Sequence, residues 1–203
     1  MSVLPSVLLG YHGCSRAIAD RVLAGEAFEP SREDHDWLGP GTYFWENDPR
    51  RALEWAVEKE TRGKCDHPTV VGAVIMPGRC LDLTTRDDLD LLAEAYIAFR
   101  AAQEAAKLEM PRNQDLRLDT HRDRKLRYLD CAVIRHLEAA AENADANLAV
   151  PGLAPIDTVR GLFTEGGELY GGAGFSRKTH SQIAVVRPMA IVGVFLPRPY
   201  PRL

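Results

Sequence analysis

The sequence predicts a mixed α/β domain. Three observations support this prediction: strand-like apolar runs lie at both ends of the chain, helix-like stretches lie in the middle, and turn-forming residues separate them. The chain has 203 residues, of which 45% are hydrophobic and 27% charged, so it is long enough to bury one sizeable core. We therefore expect a single domain over residues 1–203, with a helical insertion at about 86–145.

The start of the chain predicts a strand followed directly by a helix. The apolar run SVLLGY, residues 6–11, favours a buried strand that ends before His12. Ser15 is a suitable N-cap and Gly25 a suitable C-terminal cap for a helix over about 16–24. A histidine and a glycine are therefore expected between the first strand and the first helix.

A polar loop over 26–40 leads to a second strand, a second helix and two further strands. The short run TYFW favours a strand, and Asp48 followed by Pro49 is typical of the start of a helix, which we expect to reach about Arg62. The run TVVGAVIM is the clearest buried strand in the sequence. The strand CLDL follows it after the turn PGR.

Two long amphipathic helices are predicted in the middle of the chain. Their apolar residues recur at steps of three and four, which is the pattern of one helix face. We expect these helices to form a hairpin inserted into a β-rich domain. The first face comprises Leu89, Leu92, Tyr96, Phe99, Gln103 and Ala106, and the second comprises Leu126, Leu129, Val133 and Leu137.

The C-terminal part of the chain predicts a return to strands. After a loop over 143–155, the runs TVRGLFT, SQIAVV and AIVGVFL favour three strands, and the glycine-rich segment EGGELYGGAGF separates the first two.

Composition and charge exclude several classes of protein. No apolar run has the length of a membrane helix, and the first residues lack the basic region and cleavage site of a signal peptide, so we expect a cytoplasmic protein. A net charge of −4 gives no overall attraction to nucleic acid. The four cysteines are far apart and form no CxxC pair, so neither a metal site nor a disulfide framework is predicted.

Four segments together resemble a known enzyme family. The order is YHG, then LGPGTYFWENDPRRALEWA, then VVGAVIMPGRCLDL, then SQIAVVRPMAIVGVFL. These segments resemble the catalytic domain of poly(ADP-ribose) polymerases and their bacterial relatives, ADP-ribosyltransferases with a His-Tyr-[Glu/Asp/Gln] triad. The resemblance covers roughly residues 6–83 and 156–196. It implies the split, strongly bent antiparallel sheet of that family.

The resemblance implies that NAD is the substrate and gives a role to each matched residue. His12 would hydrogen-bond a ribose hydroxyl, and the main chain of Gly13 would pair with the nicotinamide carboxamide. Tyr43 would place its ring against the nicotinamide. Gly41 would allow a close approach of the cofactor or merely form a turn, and Trp55 would be a second stacking ring or a core residue.

Gln182 stands at the third triad position, where the family often has a glutamate. A glutamine keeps an acceptor oxygen but lacks the charge that would stabilise an oxocarbenium-like state. Glu165, Glu168 and His180 lie close by in sequence and could supply the missing function. The family's small hydroxyl residue near Arg51 is also absent.

The resemblance predicts an NAD-dependent mono-ADP-ribosyltransferase that releases nicotinamide and modifies a macromolecular acceptor. One alternative is an NAD glycohydrolase, and the other is a non-catalytic module that binds NAD or ADP-ribose. The acceptor, protein or nucleic acid, stays open, since the arginines of the segment over 112–127 are interleaved with aspartates. Proteins of this resemblance are often toxins, so the analogy also predicts an antitoxin protein as a partner.

Overall fold

The computed structural model describes residues 7–116, 121, 123–147 and 154–203. Within these residues the chain forms strands, α-helices and one 3₁₀ turn, which confirms the predicted α/β class. The elements in chain order are β1 Leu8–Ser15, α1 Arg16–Leu23, β2 Thr42–Glu46, α2 Pro49–Thr61, β3 Pro68–Ile75, β4 Cys80–Asp82, α3 Arg86–Ala106, α4 Tyr128–Asn147, β5 Thr158–Phe163, β6 His180–Val185, the 3₁₀ turn Pro188–Ala190 and β7 Ile191–Phe195.

The strands form a 7-stranded sheet with the order β4-β5-β6-β2-β1-β3-β7. Neighbouring strands are antiparallel except for the parallel pair β4 and β5. The pairing between β1 and β2 is the shortest, since it consists of Gly10↔Glu46 and Tyr11↔Trp45. By contrast, β1 pairs with β3 from Leu8 to Ser15. The pairing of β1 and β2, which connects the two halves of the sheet, is therefore only a short stretch at its centre.

The first strand is longer than the sequence predicts. The expected strand over 6–11 ends before His12, but β1 continues to Ser15 because β3 provides a pairing partner along its whole length. His12 thus lies inside a strand rather than at its end. The other strands begin and end close to the predicted residues.

The predicted helix caps are confirmed. The N–H of Ile18 donates to the Ser15 hydroxyl at 3.3 Å, and the N–H of Arg51 donates to the Asp48 carboxylate at 2.9 Å. Gly25, directly after the end of α1, has a φ of +105°, a conformation that glycine adopts without strain.

Side chains alternate between the two faces of the sheet, and each face has its own core. The first face is the one on which Phe44 and Ile183 lie, and α1 packs there through Ala19 and Val22. The second face is the one that carries Tyr43, Trp45 and Gln182, because these positions alternate with the first set. On the second face, the helix α2 covers β1 and β3. The helices α3 and α4 cover β4, β5 and β6 on the same face.

The two middle helices pack on each other as a hairpin, as predicted. The predicted face of α3 is partly wrong, because Leu89 and Tyr96 are 46% and 36% exposed. The buried side of this helix is centred on Ala95, with Leu92 and Phe99 packed beside it. Leu126, assigned to the second helix face, precedes α4 instead.

Residues 117–120 and 122 of the charged segment, residues 148–153 of the predicted loop over 143–155 and Ser6 of the predicted first strand lie outside the described residues. In the part of the chain that the structure describes, no helix combines the length and the apolar character needed to cross a membrane.

Candidate functional site

The candidate site lies where β1 and β2 separate. The N–H of Asn47 donates to the Leu9 carbonyl at 3.0 Å, and Tyr11 pairs with Trp45, so odd-numbered residues of β1 direct their main-chain groups towards β2. By the same alternation the N–H and C=O of Gly13 point towards β2. The pairing with β2 ends at Tyr11, however, so the main-chain groups of Gly13 face the gap between the strands.

The His12 ring spans this gap to the main chain of β2. Its Nδ1 lies 2.8 Å from the carbonyl oxygen of Tyr43. Because a carbonyl oxygen only accepts, Nδ1 carries the proton, and Nε2 of the neutral ring is an acceptor. The ring packs against Phe28 and Phe44 on the first face. Burial lowers the pKa of His12 to about 4, against the opposing effect of the hydrogen bond to Tyr43.

We expect the protein to lose stability in acid because His12 is neutral in the fold. Its pKa is about 4 in the fold and 6.5 ordinarily, so the unfolded chain binds more protons between these values. At about 1.4 kcal/mol per pKa unit, the free energy of unfolding should fall by on the order of 3 kcal/mol from about pH 7 to about pH 4. Urea unfolding of the wild type and of His12→Asn at both pH values measures this loss. The asparagine retains a donor for the Tyr43 carbonyl but does not titrate, so an equal loss in both proteins would contradict the assignment to His12.

Tyr43 lies on the second face, opposite the His12 ring. Its hydroxyl donates to the Gly39 carbonyl at 2.8 Å and accepts from the Leu38 N–H at 2.9 Å. Burial raises the pKa of Tyr43 well above its ordinary value, so the hydroxyl stays protonated. The resemblance gives both side chains a contact with NAD and so predicts that they converge on one pocket, but the His12 and Tyr43 rings do not converge. Adjacent rungs of the sheet place the rings on opposite faces, and the two residues meet through the Tyr43 carbonyl instead.

Gln182 lies on the same face as Tyr43 and Trp45, and it is 7% exposed. Its Oε1 accepts a hydrogen bond from the indole N–H of Trp37 at 2.7 Å. An indole nitrogen only donates, which fixes the orientation of the amide: the oxygen faces Trp37, and the NH₂ group is the end left to face elsewhere. The end of the Gln182 amide that is left for a ligand is therefore the NH₂ donor, and not the oxygen acceptor that the sequence predicts.

Gly41 and Trp55, the other predicted cofactor contacts, have partners within the protein. Gly41 forms a bridge with Ser31, and a Cβ added to Gly41 would lie 2.9 Å from the Val185 carbonyl oxygen. The close approach at this glycine is thus to β6. Trp55 is half-buried, with its ring centroid 6.1 Å from that of Trp45.

A buried ionic network lies beside Gln182 on the second face. Glu165 is 4% exposed and accepts hydrogen bonds from Nε and Nη2 of Arg51, the former at 3.2 Å. Lys125 lies 3.1 Å from the other carboxylate oxygen, and Nδ1 of His180 lies 3.8 Å from the first. Burial alone would raise the pKa of Glu165, but Arg51 and Lys125 lower it below its ordinary value, so the carboxylate is ionised.

The structure thus brings together two of the three residues proposed to assist Gln182. Glu165 and His180 are buried neighbours, whereas Glu168 is exposed and accepts from the N–H of Gly172 within its own loop. Sequence analysis missed Arg51, because an arginine in the first turn of a helix is usually exposed. The spacing carried no signal for its burial, because Arg51 stands one and five positions before the buried Ala52 and Ala56, and not three or four.

Two buried donors on this face have no hydrogen-bond acceptor among the described residues, namely Trp45 Nε1 and Arg51 Nη1. Nη1 retains ionic contacts to Glu58 at 3.5 Å and to Glu54 at 3.9 Å. The guanidinium carbon of Arg51 lies 5.8 Å from the centre of the Trp45 ring, so the two donors are close together. A buried donor without an acceptor costs about 1–3 kcal/mol, and the two ionic contacts reduce that cost at Nη1.

No family model matches the chain, and no solved structure matches it. The chain is 38% identical over 50 residues to an uncharacterized protein of Methanocaldococcus jannaschii. The matched segment covers 25% of this chain and 23% of that relative. The chain therefore spans about a quarter of the relative's length, and the similarity points to no activity.

Proposed function

We propose that the chain is a cytoplasmic, NAD-dependent mono-ADP-ribosyltransferase. In the proposed reaction NAD binds in the gap between β1 and β2, nicotinamide leaves, and a macromolecular acceptor receives ADP-ribose. The further proposals, that the enzyme is a toxin and that an antitoxin protein neutralises it, depend on the family resemblance alone.

The main chain of Gly13 carries this proposal. Its N–H and C=O face the gap in the orientation that a pairing strand would require. A nicotinamide carboxamide has an oxygen acceptor and an NH₂ donor side by side, which is the complement of that pair. Nicotinamide would thus form with Gly13 the pair of hydrogen bonds that β2 would form if its pairing with β1 continued past Tyr11.

The residues around Gly13 can orient the rest of the cofactor. The fixed tautomer of His12 leaves Nε2 as an acceptor for a ribose hydroxyl. On the second face, Trp45 and Arg51 have donors without a hydrogen-bond acceptor among the described residues, and these groups would bind an oxygen of the cofactor. Arg51 would thereby replace the small hydroxyl residue that the family has near this position.

Gln182 gives the proposed site a weak means of stabilising charge. As nicotinamide leaves, the ribose carbon becomes cationic, and a nearby carboxylate would stabilise it. Gln182 is neutral, and its oxygen is already bonded to Trp37. We therefore expect slow cleavage and the transfer of single ADP-ribose units.

The same observation favours one second candidate function, a module that binds NAD or ADP-ribose without cleaving it. Such a module needs the Gly13 main chain and the His12 acceptor but no charge at position 182. The two candidates agree on binding and differ in the release of nicotinamide.

Binding and cleavage are separable by experiment. NAD affinity is measured by calorimetry, and release is followed with NAD labelled on the nicotinamide. We expect the wild type to bind NAD and to release nicotinamide slowly, and His12→Asn to bind about tenfold more weakly, since one hydrogen bond is lost. His67→Asn is the matched control, because His67 is exposed and lies at the turn before β3.

Each other outcome has a distinct meaning. Binding without release would favour the non-catalytic module, and an absence of binding would overturn both candidates. In a cell lysate with NAD labelled on the adenine, label attached to a macromolecule supports transfer, whereas free ADP-ribose alone supports hydrolysis.

A further inference from the structure

Residues 32–40 form a surface loop that is closed at its base. The N–H of Ser31 donates to the Gly41 carbonyl at 2.8 Å, and the N–H of Gly41 donates to the Ser31 carbonyl at 3.0 Å. A compact loop whose ends lie so close together is an Ω-loop. We call residues 32–40 the strap, because they connect α4 with the second face of the sheet. The bridge between Ser31 and Gly41 keeps the strap attached to the sheet even when its other contacts break.

The outer side of the strap is held by α4 through polar contacts. Arg135 of α4 donates to the Asp34 carboxylate at 2.7 Å. It also donates to the main-chain carbonyls of Arg32 and Glu33, at 2.9 and 3.2 Å. The side chains of Arg135 and Asp34 are 35% and 79% exposed, and ion pairs exposed to water add little stability. The contact with α4 is therefore a weak attachment.

The same contact contains buried polar atoms that lack a partner. Among the described residues, five buried side-chain atoms have no hydrogen-bond partner, and three of them are Asp36 Oδ2, Arg135 Nε and Glu138 Oε1. Asp36 belongs to the strap, and Glu138 Oε1 lies 3.4 Å from the position that a Cβ on Gly39 would take. Unpaired buried groups destabilise the arrangement that buries them. We therefore expect the strap to detach from α4 before the sheet unfolds.

The inner side of the strap covers Gln182. The indole N–H of Trp37 donates to the Gln182 oxygen at 2.7 Å. The indole ring lies over Gly161, where an added Cβ would stand 2.8 Å from it, and it meets Phe163 edge to face with ring centroids 5.0 Å apart. Leu38, the next residue of the strap, is fully buried. Burial of this leucine keeps the closed strap the major state.

We propose that the strap opens about the bridge between Ser31 and Gly41 and so controls the hydrogen bonding of Gln182. With the strap closed, Trp37 takes the amide oxygen, and the NH₂ donor is the end left for a ligand. With the strap open, the oxygen is an acceptor as well. A ribose hydroxyl of NAD that donates to this oxygen would bind the open strap only, so its apparent affinity is lowered by the fraction of molecules that are open. This last consequence rests on the proposed function, whereas the opening itself does not.

Hydrogen exchange of the Trp37 indole N–H, measured by NMR in urea below the unfolding transition, tests the opening without NAD. The chain has three tryptophans, so Trp37→Phe assigns the signal. A local opening exposes little surface and depends little on urea, whereas global unfolding depends on it steeply. Without urea, we expect the protection of the Trp37 indole to be at least about 10-fold below that of the β3 amides. As urea is added, the indole protection should stay constant while that of the β3 amides falls.

Arg135→Gln tests the contact with α4. The substitution removes the ion pair with Asp34 and weakens the bonds to the two carbonyls. Exchange of the Trp37 indole should become about 10-fold faster and stay independent of urea. Arg100→Gln is the matched control, because Arg100 lies on α3 and pairs with Glu104 of its own helix at 3.6 Å. The control should exchange as the wild type does.

The possible outcomes are distinct. An indole that exchanges only together with the β3 amides, at every urea concentration, would overturn the strap, since the loop would then open only with the whole fold. Exchange at the wild-type rate in a folded Arg135→Gln would also overturn it, since α4 would not hold the loop. If Arg135→Gln does not fold, the urea dependence of the wild type decides alone. A wild type that binds no NAD would overturn the proposed function and leave the strap unaffected.

Discussion

Gly13→Ala is expected to destabilise the fold by about 3 kcal/mol or more. A methyl group at this position would overlap with the main-chain carbonyl oxygen of Ala52 in α2. Main-chain atoms cannot rotate away as a side chain does, so α2 would have to move off the sheet. Since α2 also carries Arg51, the ionic contact to Glu165 would be lost as well. Urea unfolding of the wild type and the variant measures the change.

Gly193→Ala provides a matched control for this prediction. Gly193 also lies in a strand, β7, and a Cβ added there meets no heavy atom within 4 Å. We expect this variant to unfold within about 0.5 kcal/mol of the wild type, as surface substitutions usually do. Similar losses in Gly13→Ala and Gly193→Ala would mean that strand propensity, and not the contact with α2, explains the effect. The proposed binding of a carboxamide by the Gly13 main chain depends on this tight packing, which holds β1 in place.

Sequence analysis predicted the elements of the fold well because their signals are local. The caps Ser15 and Asp48 and the apolar runs of the strands act within a few residues, so each could be recognised from its own segment. The face of α3 was predicted incorrectly because Leu89 and Tyr96 fit the period of the pattern but not the position of the sheet. The end of β1 was misplaced because its continuation depends on pairing with β3, some sixty residues later.

Sequence analysis proposed the residues of the candidate site but not their arrangement. His12 and the main chain of Gly13 lie at the gap between β1 and β2, whereas the Gln182 side chain lies on the second face of the sheet, opposite the His12 ring. The contacts that define their chemistry join distant parts of the chain: Trp37 to Gln182 across 145 positions, and Arg51 to Glu165 across 114. No periodicity or spacing in a single sequence records such pairs, because they are set by tertiary packing.

Those long-range contacts also predict the consequence of restoring a charge at position 182. We expect Gln182→Glu to raise the rate of nicotinamide release about 10- to 100-fold, because a carboxylate would stabilise the cationic ribose. One carboxylate oxygen can accept the indole N–H of Trp37, as the amide oxygen does at 2.7 Å. The second oxygen would then stand where the amide NH₂ group is, and it can accept from a ribose hydroxyl. Thermal stability should change little while the carboxyl group is protonated, since the bond to Trp37 is retained, and it should fall as the group ionises, since burial disfavours the charge.

Burial determines the pH at which this gain appears. Position 182 is 7% exposed, and desolvation raises the pKa of a carboxyl group there, so the gain should be larger at pH 8.5 than at pH 6. Gln182→Met, similar in shape but without an acceptor, should lose activity and some stability because the Trp37 N–H is left unpaired. Gln103→Glu adds the same charge on α3, outside the site, and should leave the rate unchanged. Should a folded Gln182→Glu release nicotinamide no faster than the wild type at any of these pH values, position 182 is not where the leaving step is stabilised, and Glu165 becomes the carboxylate to examine.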